Sequence, residues 1–370
     1  MRVYEGDGLG DVYYQIIRDL TEQGRKITTR GHECLEFKGP VALVYRRPGA
    51  CWMRIPGRKW NPFLAMAEVL WILSGDGGVD SIAFFSNYIR NFQDDNNPNF
   101  HGAYGTRIRH YGQELGTPYR GIDQIQEVVR KLQADPQSRQ AVIALWNPEM
   151  DNTIVSKDYP CNNMVYYSLR EGVLDQTVVI RSNDLIWGTT YNAVQFTHLH
   201  ALVAGLLGVE MGTFTYLIQN LHYYINLYSQ TLSKVIDEAF TGNPIHALYP
   251  ESFGTFGETK AIGLTWAGIL RLQTVHFMDW VKYFEDLRVL PEEDTPSNWV
   301  LTYFRALALF CYMRLSENGP TSVSTESLVN LLYKIGEPIK GLILDFWEDS
   351  KNPRIQELVK ACQKSSILQG

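Results

Sequence analysis

The chain has 370 residues, 45% of them hydrophobic and 20% charged, which is the composition of a globular protein with a large core. Its formal net charge of −6 at pH 7 argues against a dedicated nucleic-acid-binding protein, because such proteins normally carry a broad basic excess. A small anionic ligand is still compatible with this charge, since a few arginines in one pocket are enough to hold a phosphate.

The five cysteines are scattered along the chain and include no CxxC pair. This pattern argues against a disulfide framework or a structural zinc site, and it favours a reducing, cytoplasmic location. The first residues show no charged segment followed by an apolar stretch, so we expect no signal peptide. The most apolar run, Trp299 to Leu315, carries Arg305 and is short for a membrane span, so we predict a buried helix there and no membrane association.

Periodicity and turn signals predict a mixed succession of helices and strands up to about residue 255. In chain order we predict helix Gly10 to Gln23, strands Glu33 to Phe37 and Val41 to Tyr45, a helix from Pro62 to Ser74, helix Asp123 to Ala134, strands Gln140 to Trp146, Met164 to Leu169 and Leu174 to Ile180, helix Ala193 to Leu207 and strand Thr213 to Gln219. The tripeptide Arg170-Glu171-Gly172 is a predicted hairpin turn between two of these strands.

The character of the chain changes after about Ile262, where only helical patterns follow. The predicted helices are Ala267 to Asp286, Asn298 to Leu315, Thr325 to Tyr333 and Arg354 to Lys364. We place a boundary in the glycine-rich stretch from Gly242 to Gly263. This predicts an α/β (α+β) body over residues 1–255 and an all-α C-terminal extension over residues 256–370.

The most informative segment for chemistry begins at Cys161, which follows a proline and precedes a predicted strand. A thiol becomes a good nucleophile when nearby cations stabilise its thiolate. Two strands and a turn later come Arg181 and Ser182, and a hairpin of this length would return them close to the cysteine. Taken alone, the pattern also fits a cysteine that is simply a small core residue.

Six motifs in register resemble those of the thymidylate synthases and nucleotide hydroxymethylases, over residues 12 to about 235. They are AEVLWILSGD (67–76), AYG (103–105), DPQSRQAVIALWNP (135–148), Pro160-Cys161, RSND (181–184) with WG (187–188) and Asn192, and His222 with Tyr224. The resemblance implies a twisted mixed β-sheet flanked by helices. It also implies one-carbon transfer from 5,10-methylenetetrahydrofolate to C5 of a pyrimidine nucleotide.

The resemblance assigns the reacting groups. Cys161 would add to C6 of the base, which turns C5 into an enolate-like nucleophile. Glu68 would relay protons through water to the base carbonyl and the leaving amine, and Tyr104 would assist loss of the C5 proton. An alternative for Glu68 is an ion pair with Arg58 or Lys59. Asn192 would read the N3–H and O4 edge of uracil, because its amide offers both a donor and an acceptor.

The remaining predicted contacts hold the nucleotide and the folate. The phosphate would contact Arg30, Arg181 and Ser182 of one subunit and Arg139 of the partner, because the family assembles this site at a dimer interface. The sugar 3′-hydroxyl would contact His222 and Tyr224, and the pterin ring of the folate would contact Asp184. We therefore expect a homodimer that binds a pyrimidine nucleoside monophosphate and folate, with no metal ion.

The chain departs from the synthases at three places: Asn162 stands where they usually have histidine, Arg139-Gln140 where they have two arginines, and Ile82 to Asp95 has no tryptophan. Synthases use a tryptophan to shield the exocyclic methylene intermediate from water, so its loss favours a hydroxymethyl product. We predict deoxyuridylate hydroxymethylation, with thymidylate synthase proper as the alternative. A non-catalytic nucleotide-binding relative and a DNA cytosine C5 methyltransferase are distant alternatives.

Overall fold

The structure is a computed structural model that describes residues 1–55, 58–95, 97–113, 121–227, 229–242, 299–315 and 323–367, together with residues 267 and 270. The strands in these ranges are β1 (Arg2–Gly6), β2 (Arg25–Thr29), β3 (His32–Glu36), β4 (Val41–Tyr45), β5 (Val142–Ala144), β6 (Asn162–Arg170), β7 (Val173–Ile180), β8 (Asn183–Asp184), β9 (Glu210–Ile218) and β10 (Leu221–Tyr224).

The α-helices of the described ranges are α1 (Leu9–Gln23), α2 (Pro62–Ser74), α3 (Val79–Ala83), α4 (Tyr104–Arg109), α5 (Gln124–Ala134), α6 (Pro148–Asp151), α7 (Gly188–Leu207), α8 (Ser229–Thr241), α9 (Trp299–Leu315), α10 (Thr325–Ile335), α11 (Ile339–Trp347) and α12 (Pro353–Ile367). A short 3-10 helix covers Asn87–Phe92. None of these helices combines the length and the apolar character that crossing a membrane requires.

The strands form two mixed sheets, one in the order β1-β4-β9-β7-β6-β5 and one in the order β2-β3-β10-β8. The first sheet pairs β1 with β4 and β7 with β9 in parallel, and its other pairs are antiparallel. Every second side chain of β7 is buried (Leu174, Gln176, Val178 and Ile180), as expected for a strand with one face on the core. The predicted mixed α/β fold with helices on the sheet is confirmed.

The predicted hairpin between β6 and β7 is also confirmed, and it determines the geometry around Cys161. Its two turn residues, Glu171 and Gly172, have φ values of 52° and 78°, the left-handed conformation that a two-residue hairpin turn needs. The register then pairs Asn162 with Ile180. The next residue, Arg181, donates its backbone N–H to the Cys161 carbonyl oxygen at 3.0 Å.

Three strands of the second sheet were not predicted: β2, β8 and β10. In β10 the residues His222 and Tyr224 pair with Glu36 and Cys34 of β3, and His222 also lies beside Asp184 of β8. These strands are short and rich in polar residues, so their sequences lack the apolar alternation that identifies a strand. The pairing of β10 with β3 and with β8 depends on partners far away in the chain, whereas β2 pairs with its neighbour β3.

Several element boundaries differ from those predicted. Helix α7 begins at Gly188 and not at Ala193, because the turn before it is stabilised by Asp184, whose Oδ1 accepts the N–H groups of Ile186 (2.8 Å) and Trp187 (3.4 Å). Strand β5 is confined to Val142–Ala144. Beyond it the ladder is distorted, since the Leu145 and Trp146 N–H groups both donate to the Asn163 carbonyl.

Helix α2 lies in the core and carries one ionisable residue, Glu68. Asn61 caps its start by accepting the Leu64 N–H at 3.1 Å, and Gly75 ends it at φ 87°. Nearly all its other side chains are buried, as expected for a helix that is apolar on every face. A carboxylate on such a helix is costly to bury without a function or a partner.

The C-terminal helices pack against this same helix α2. Phe63 of α2 contacts Phe310 of α9 and Trp347 of α11, with ring centroids 4.7 and 4.9 Å apart. The Tyr303 hydroxyl lies 2.6 Å from His198 Nε2, and Lys59 forms an ion pair with Asp349 at 2.7 Å. The extension is therefore in direct contact with the body that carries the predicted site.

The predicted helices of the tail are confirmed at α9, α10 and α12, and α11 was not anticipated. The predicted helix Ala267 to Asp286, apart from two of its residues, and nearly all of the proposed boundary stretch Gly242 to Gly263 lie outside the described residues. The division at residue 255 stays a prediction.

Candidate active site

A cavity of about 740 Å³ is lined by strands of the second sheet, by helices α2 and α7, and by Cys161 and Arg181 at the open end of the β6–β7 hairpin. Its volume is in the range typical of small-molecule sites. Ten predicted site residues line it: Arg30, Glu68, Tyr104, Cys161, Arg181, Ser182, Asp184, Asn192, His222 and Tyr224. The exception is Arg139, which is exposed and lies outside the cavity lining.

The Arg181 side chain is held against the thiol of Cys161. Its Nη2 lies 3.6 Å from the cysteine Sγ and donates to the Tyr159 carbonyl at 3.1 Å, while its Nε donates to the Pro160 carbonyl at 3.0 Å. Burial raises the pKa of the Cys161 thiol, and the positive charge of Arg181 opposes that rise. Arg181 can therefore stabilise the thiolate of Cys161 at a buried position where solvent alone would not.

The Tyr104 hydroxyl is fixed beside the same cysteine. Its oxygen accepts the backbone N–H groups of Cys161 and Asn162, each at 3.2 Å, and the Asn162 side-chain amide at 2.8 Å. Burial raises the pKa of Tyr104, so the group is a neutral phenol at ordinary pH. Asn162, which we noted only as a departure from the synthase pattern, is therefore one of the groups that hold this hydroxyl in place.

Glu68 accepts a hydrogen bond from Gln195 Nε2 at 2.9 Å. Burial raises its pKa to about 8, and the Gln195 hydrogen bond partly opposes this rise. The alternative ion pair with Arg58 or Lys59 is wrong. Lys59 pairs with Asp349, and the Arg58 guanidinium lies over the rings of Trp187 and Tyr191 at 5.3 and 5.5 Å.

Gln195 was not predicted as a site residue, although its sequence position contained a signal. It lies three residues after Asn192 in α7, and residues three apart share a helix face. The predicted helix began at Ala193, whereas α7 begins at Gly188. The prediction therefore did not place Asn192 and Gln195 on one helix face.

Asn192 is buried, and Asn183 orients its side chain. The Asn192 Nδ2 donates to Asn183 Oδ1 at 3.3 Å. Among the residues that the structure describes, Asn183 Nδ2 has no hydrogen-bond partner. Gly188 permits this arrangement, because a Cβ at that position would lie 2.8 Å from Asn183 Oδ1. The amide of Asn192 thus presents one N–H to its neighbour and keeps an oxygen and a second N–H for a ligand.

The opposite wall of the cavity contains the groups predicted to hold sugar and phosphate. Arg30 lies in the β2–β3 turn with a φ of 50°. His222 and Tyr224 share one face of β10, with their rings 5.0 Å apart and nearly perpendicular. Burial lowers the pKa of His222, so its ring is neutral and can both donate and accept a hydrogen bond.

Aromatic rings line another part of the cavity: Tyr88, Phe92, Trp187 and Tyr191. The ring of Tyr88 stacks on that of Trp187 at 5.7 Å and 24°. The stretch Ile82 to Asp95 has no tryptophan, and the structure brings Trp187 to the cavity from the turn before α7. No cluster of three or more histidine, cysteine, aspartate or glutamate side chains in the described ranges could hold a metal ion.

The sequence of this chain is similar to those of known proteins. The family described as thymidylate synthase matches residues 11–251. The chain is 33% identical over 247 residues to a deoxyuridylate hydroxymethyltransferase of Bacillus phage SP01, which is 66% of this chain and 64% of the relative. It is 33% identical over 248 residues to a protein of the same name from Pseudomonas phage M6, covering 66% and 67%. A putative thymidylate synthase of Methanosarcina acetivorans is 28% identical over 225 residues, covering 60% and 89%.

Proposed function

Because the chain belongs to the thymidylate synthase family, we propose that it is an enzyme that transfers a one-carbon unit from a folate to C5 of a pyrimidine nucleotide. The observation that carries the proposal is the pocket in which the Cys161 thiol, the Arg181 guanidinium and the Glu68 carboxyl converge. The matched segment spans 64% of the SP01 relative, so activity and substrate are our proposals.

We propose dUMP as the substrate and 5-hydroxymethyl-dUMP as the product. Two observations support this: the relatives named deoxyuridylate hydroxymethyltransferase, and the amide of Asn192, which suits the N3–H and O4 of uracil. Thymidylate synthesis is the second candidate, favoured by Trp187 in the cavity wall and by the relative named putative thymidylate synthase.

The side chains in place suit both ligands. Arg30, Arg181 and Ser182 would hold the phosphate, and His222 with Tyr224 the 3′-hydroxyl. The stacked rings of Tyr88 and Trp187 offer a flat surface for the folate, and Asp184 an acceptor for its pterin N–H groups. When bound, 5,10-methylenetetrahydrofolate supplies the one-carbon unit.

The residues of the chain would act in order. Cys161 Sγ adds to C6 of the base as a thiolate stabilised by Arg181, and negative charge develops at O4. The protonated Glu68 carboxyl, with its pKa of about 8, donates toward that oxygen through water. Once C5 has formed its bond to the one-carbon unit, the Tyr104 hydroxyl, fixed beside Cys161, orders the water that removes the C5 proton. After water has added to the new carbon, expulsion of Cys161 from C6 releases the product.

The test is product analysis. The protein is incubated with labelled 5,10-methylenetetrahydrofolate and dUMP, dCMP, UMP or CMP, and the nucleotide is analysed by mass. We expect 5-hydroxymethyl-dUMP, with tetrahydrofolate released. An absorbance rise from dihydrofolate, matched mole for mole to the nucleotide consumed, would instead identify a thymidylate synthase.

Asn192→Asp should shift preference from dUMP toward dCMP. A carboxylate accepts from the cytosine N4 amine but repels O4 of uracil. The structure allows the change, because Asn183 can rotate its amide and donate its Nδ2 to the new carboxylate. We expect the ratio of kcat/KM for dCMP over dUMP to rise by at least about tenfold. The matched control is Asn91→Asp, at another asparagine of the cavity wall, which should leave the ratio unchanged. A wild-type preference for dCMP would contradict this interpretation of Asn192.

We also propose a cytoplasmic homodimer. The outward face of the first sheet exposes Tyr166 and Leu217, which lie opposite Thr177 and Val179 of β7 on the same side of the sheet. Apolar side chains on an open sheet face are typical of a surface that a partner covers. Arg139 lies outside the cavity of its own subunit. In the dimer it would contact the phosphate bound in the cavity of the partner subunit.

Mixing Cys161→Ser with Arg139→Ala protein tests this shared site. Each variant alone should be nearly inactive, and exchange of subunits should create heterodimers with one intact site. Recovery is expected to approach a quarter of wild-type activity, about the limit for random pairing of two freely exchanging variants. Demonstrated exchange without recovered activity would show that Arg139 does not act across the interface.

We propose residues 1–255 as the catalytic domain and residues 256–370 as the helical extension. In support, all the site residues named above lie before residue 255 and the family matches residues 11–251. The extension would support helix α2, and thereby Glu68, through Phe310 and Trp347.

A further inference from the structure

A second cavity, of about 280 Å³, adjoins the first and shares Cys161, Tyr104, Glu68 and Arg181 with it. Its wall also includes Asp158, a residue that lies three positions before the nucleophile and that the mechanism above does not use. The cavity is large enough for several water molecules and has polar groups to bind them. This second cavity therefore places the Asp158 carboxyl group and the Cys161 thiol next to a space that can hold water.

The Asp158 carboxyl is held in one orientation. Its Oδ2 accepts the Gly102 N–H at 2.7 Å, and its own N–H donates to Ser156 Oγ at 3.0 Å. The approach is close, because a Cβ at Gly102 would lie 3.0 Å from Asp158 Oδ2 and 2.9 Å from the Pro160 nitrogen. One carboxylate oxygen is thus fixed by the backbone of the loop before Tyr104.

The charge of Asp158 lies close enough to the reacting groups to affect them. It raises the pKa of the Cys161 thiol and that of the Tyr104 phenol, so it works against formation of the thiolate. Burial raises the pKa of Asp158 itself, and the hydrogen bond from the Gly102 N–H and the charge of Arg107 oppose that rise. Asp158 therefore lies beside the nucleophile and disfavours the first step, which is formation of the thiolate. Its position is explained if a later step of the reaction needs a base there.

We propose that Asp158 is the general base that takes a proton from the water that adds to the exocyclic methylene carbon of the nucleotide. The inference rests on the proposed hydroxymethylation and names the group that makes water the nucleophile. Glu68 also lines this cavity, but burial raises its pKa to about 8, so at neutral pH it carries a proton and serves as an acid rather than as a base.

The step balances without any redox change. The water oxygen forms a bond to the methylene carbon, and its proton moves to the Asp158 carboxylate. The electron pair of the exocyclic double bond moves onto C5 and O4 as an enolate. Collapse of that enolate re-forms the C5–C6 double bond and breaks the C6–S bond, so that Cys161 leaves as a thiolate. The thiolate and the Asp158 carboxyl then exchange the proton directly or through water.

Asp158→Asn tests the assignment, since an asparagine oxygen can still accept the Gly102 N–H while the amide cannot take a proton. Release of tritium from [5-³H]dUMP in a single turnover should stay within about threefold of wild type, because that proton is lost before water adds. Formation of 5-hydroxymethyl-dUMP should fall by at least about 100-fold. Added 2-mercaptoethanol should trap the methylene intermediate as a thioether nucleotide, because a thiolate needs no base.

The matched control is Asp95→Asn, which makes the same change at an exposed carboxylate paired with Lys157. It should leave tritium release, hydroxymethyl product and thioether product at wild-type levels. A second variant, Asp158→Ala, vacates the site, and added formate should restore hydroxymethyl product in proportion to its concentration. Formate can rescue the Asp158→Ala protein only if its active site is folded and if the group that it lacks is the base.

Three results would overturn the inference. One is unchanged hydroxymethyl formation in Asp158→Asn, and another is loss of tritium release in parallel with loss of product, which would place Asp158 before the water step. The third is an Asp158→Ala protein that formate does not rescue. If the wild-type protein forms thymidylate and dihydrofolate, the proposed function fails and this inference fails with it. If wild-type protein forms the hydroxymethyl product and only the variants disagree, the inference fails alone.

Discussion

Replacing Cys161 by serine is expected to lower kcat by at least about a thousandfold while the dissociation constant for dUMP changes by less than about twofold. A serine hydroxyl is not ionised at neutral pH, and Arg181 cannot supply enough stabilisation at 3.6 Å to change that. The sugar contacts and the phosphate contacts of Arg30 and Ser182 do not involve the sulfur, and Arg181 alone contacts both groups, so binding should persist. Product formation and equilibrium binding of labelled dUMP measure the two quantities separately.

The chain offers a matched control in Cys34, a buried cysteine that lines the same cavity on β3. Cys34→Ser makes the same atomic change a short distance away, and it should retain most of the activity. Burial also raises the pKa of the Cys34 thiol, and the nearby charges of Glu36 and Asp184 raise it further. If Cys161→Ser retained more than about a tenth of wild-type activity, the nucleophile would have to be another group.

Glu68→Gln should lower kcat by about 10²- to 10⁴-fold, the usual contribution of a positioned acid or base. The same change should stabilise the folded protein at neutral and higher pH. Burial raises the pKa of this carboxyl from 4.5 to about 8, so folding requires either a proton on Glu68 or a buried charge. A glutamine keeps the size and the hydrogen-bonding capacity with Gln195 and carries no charge.

The sign of the pH dependence follows from that pKa. The stabilising contribution of protonated Glu68 is fully present below about pH 4.5 and is lost as the pH rises toward about 8. The stability of wild type relative to Glu68→Gln should therefore fall between pH 5 and pH 8, by as much as about 3 kcal/mol. Urea unfolding at the two pH values measures this difference.

Glu127→Gln serves as the control, because Glu127 is exposed and pairs with Arg130 at the surface. It removes the same charge without affecting a buried group, so its stability relative to wild type should change little over this pH range. A Glu68→Gln protein that loses activity but shows no such pH-dependent gain would mean that Glu68 is not held protonated in the free protein.

The spacing of Cys161 and Arg181 along the chain determined much of the active site. Two strands of known length joined by the Glu171-Gly172 turn can pair in one register, and that register places the cysteine beside the arginine. The apolar run of α2 likewise predicted a buried helix, and so placed Glu68 in the interior. These features depend on local hydrogen bonding and burial, which a single stretch of sequence specifies.

Contacts between distant segments were decided only by the tertiary structure. Gln195 meets Glu68 because α7 packs on α2, and Asp158 reaches the Gly102 N–H because two loops meet beside Cys161. Trp187 enters the cavity because its turn lies next to Tyr88. The sequence by itself determined that Cys161 and Arg181 lie at the ends of two paired strands and that Glu68 lies on a buried helix. Packing of non-adjacent elements decided which neighbours set their pKa values, because burial and nearby charge are properties of the assembled core.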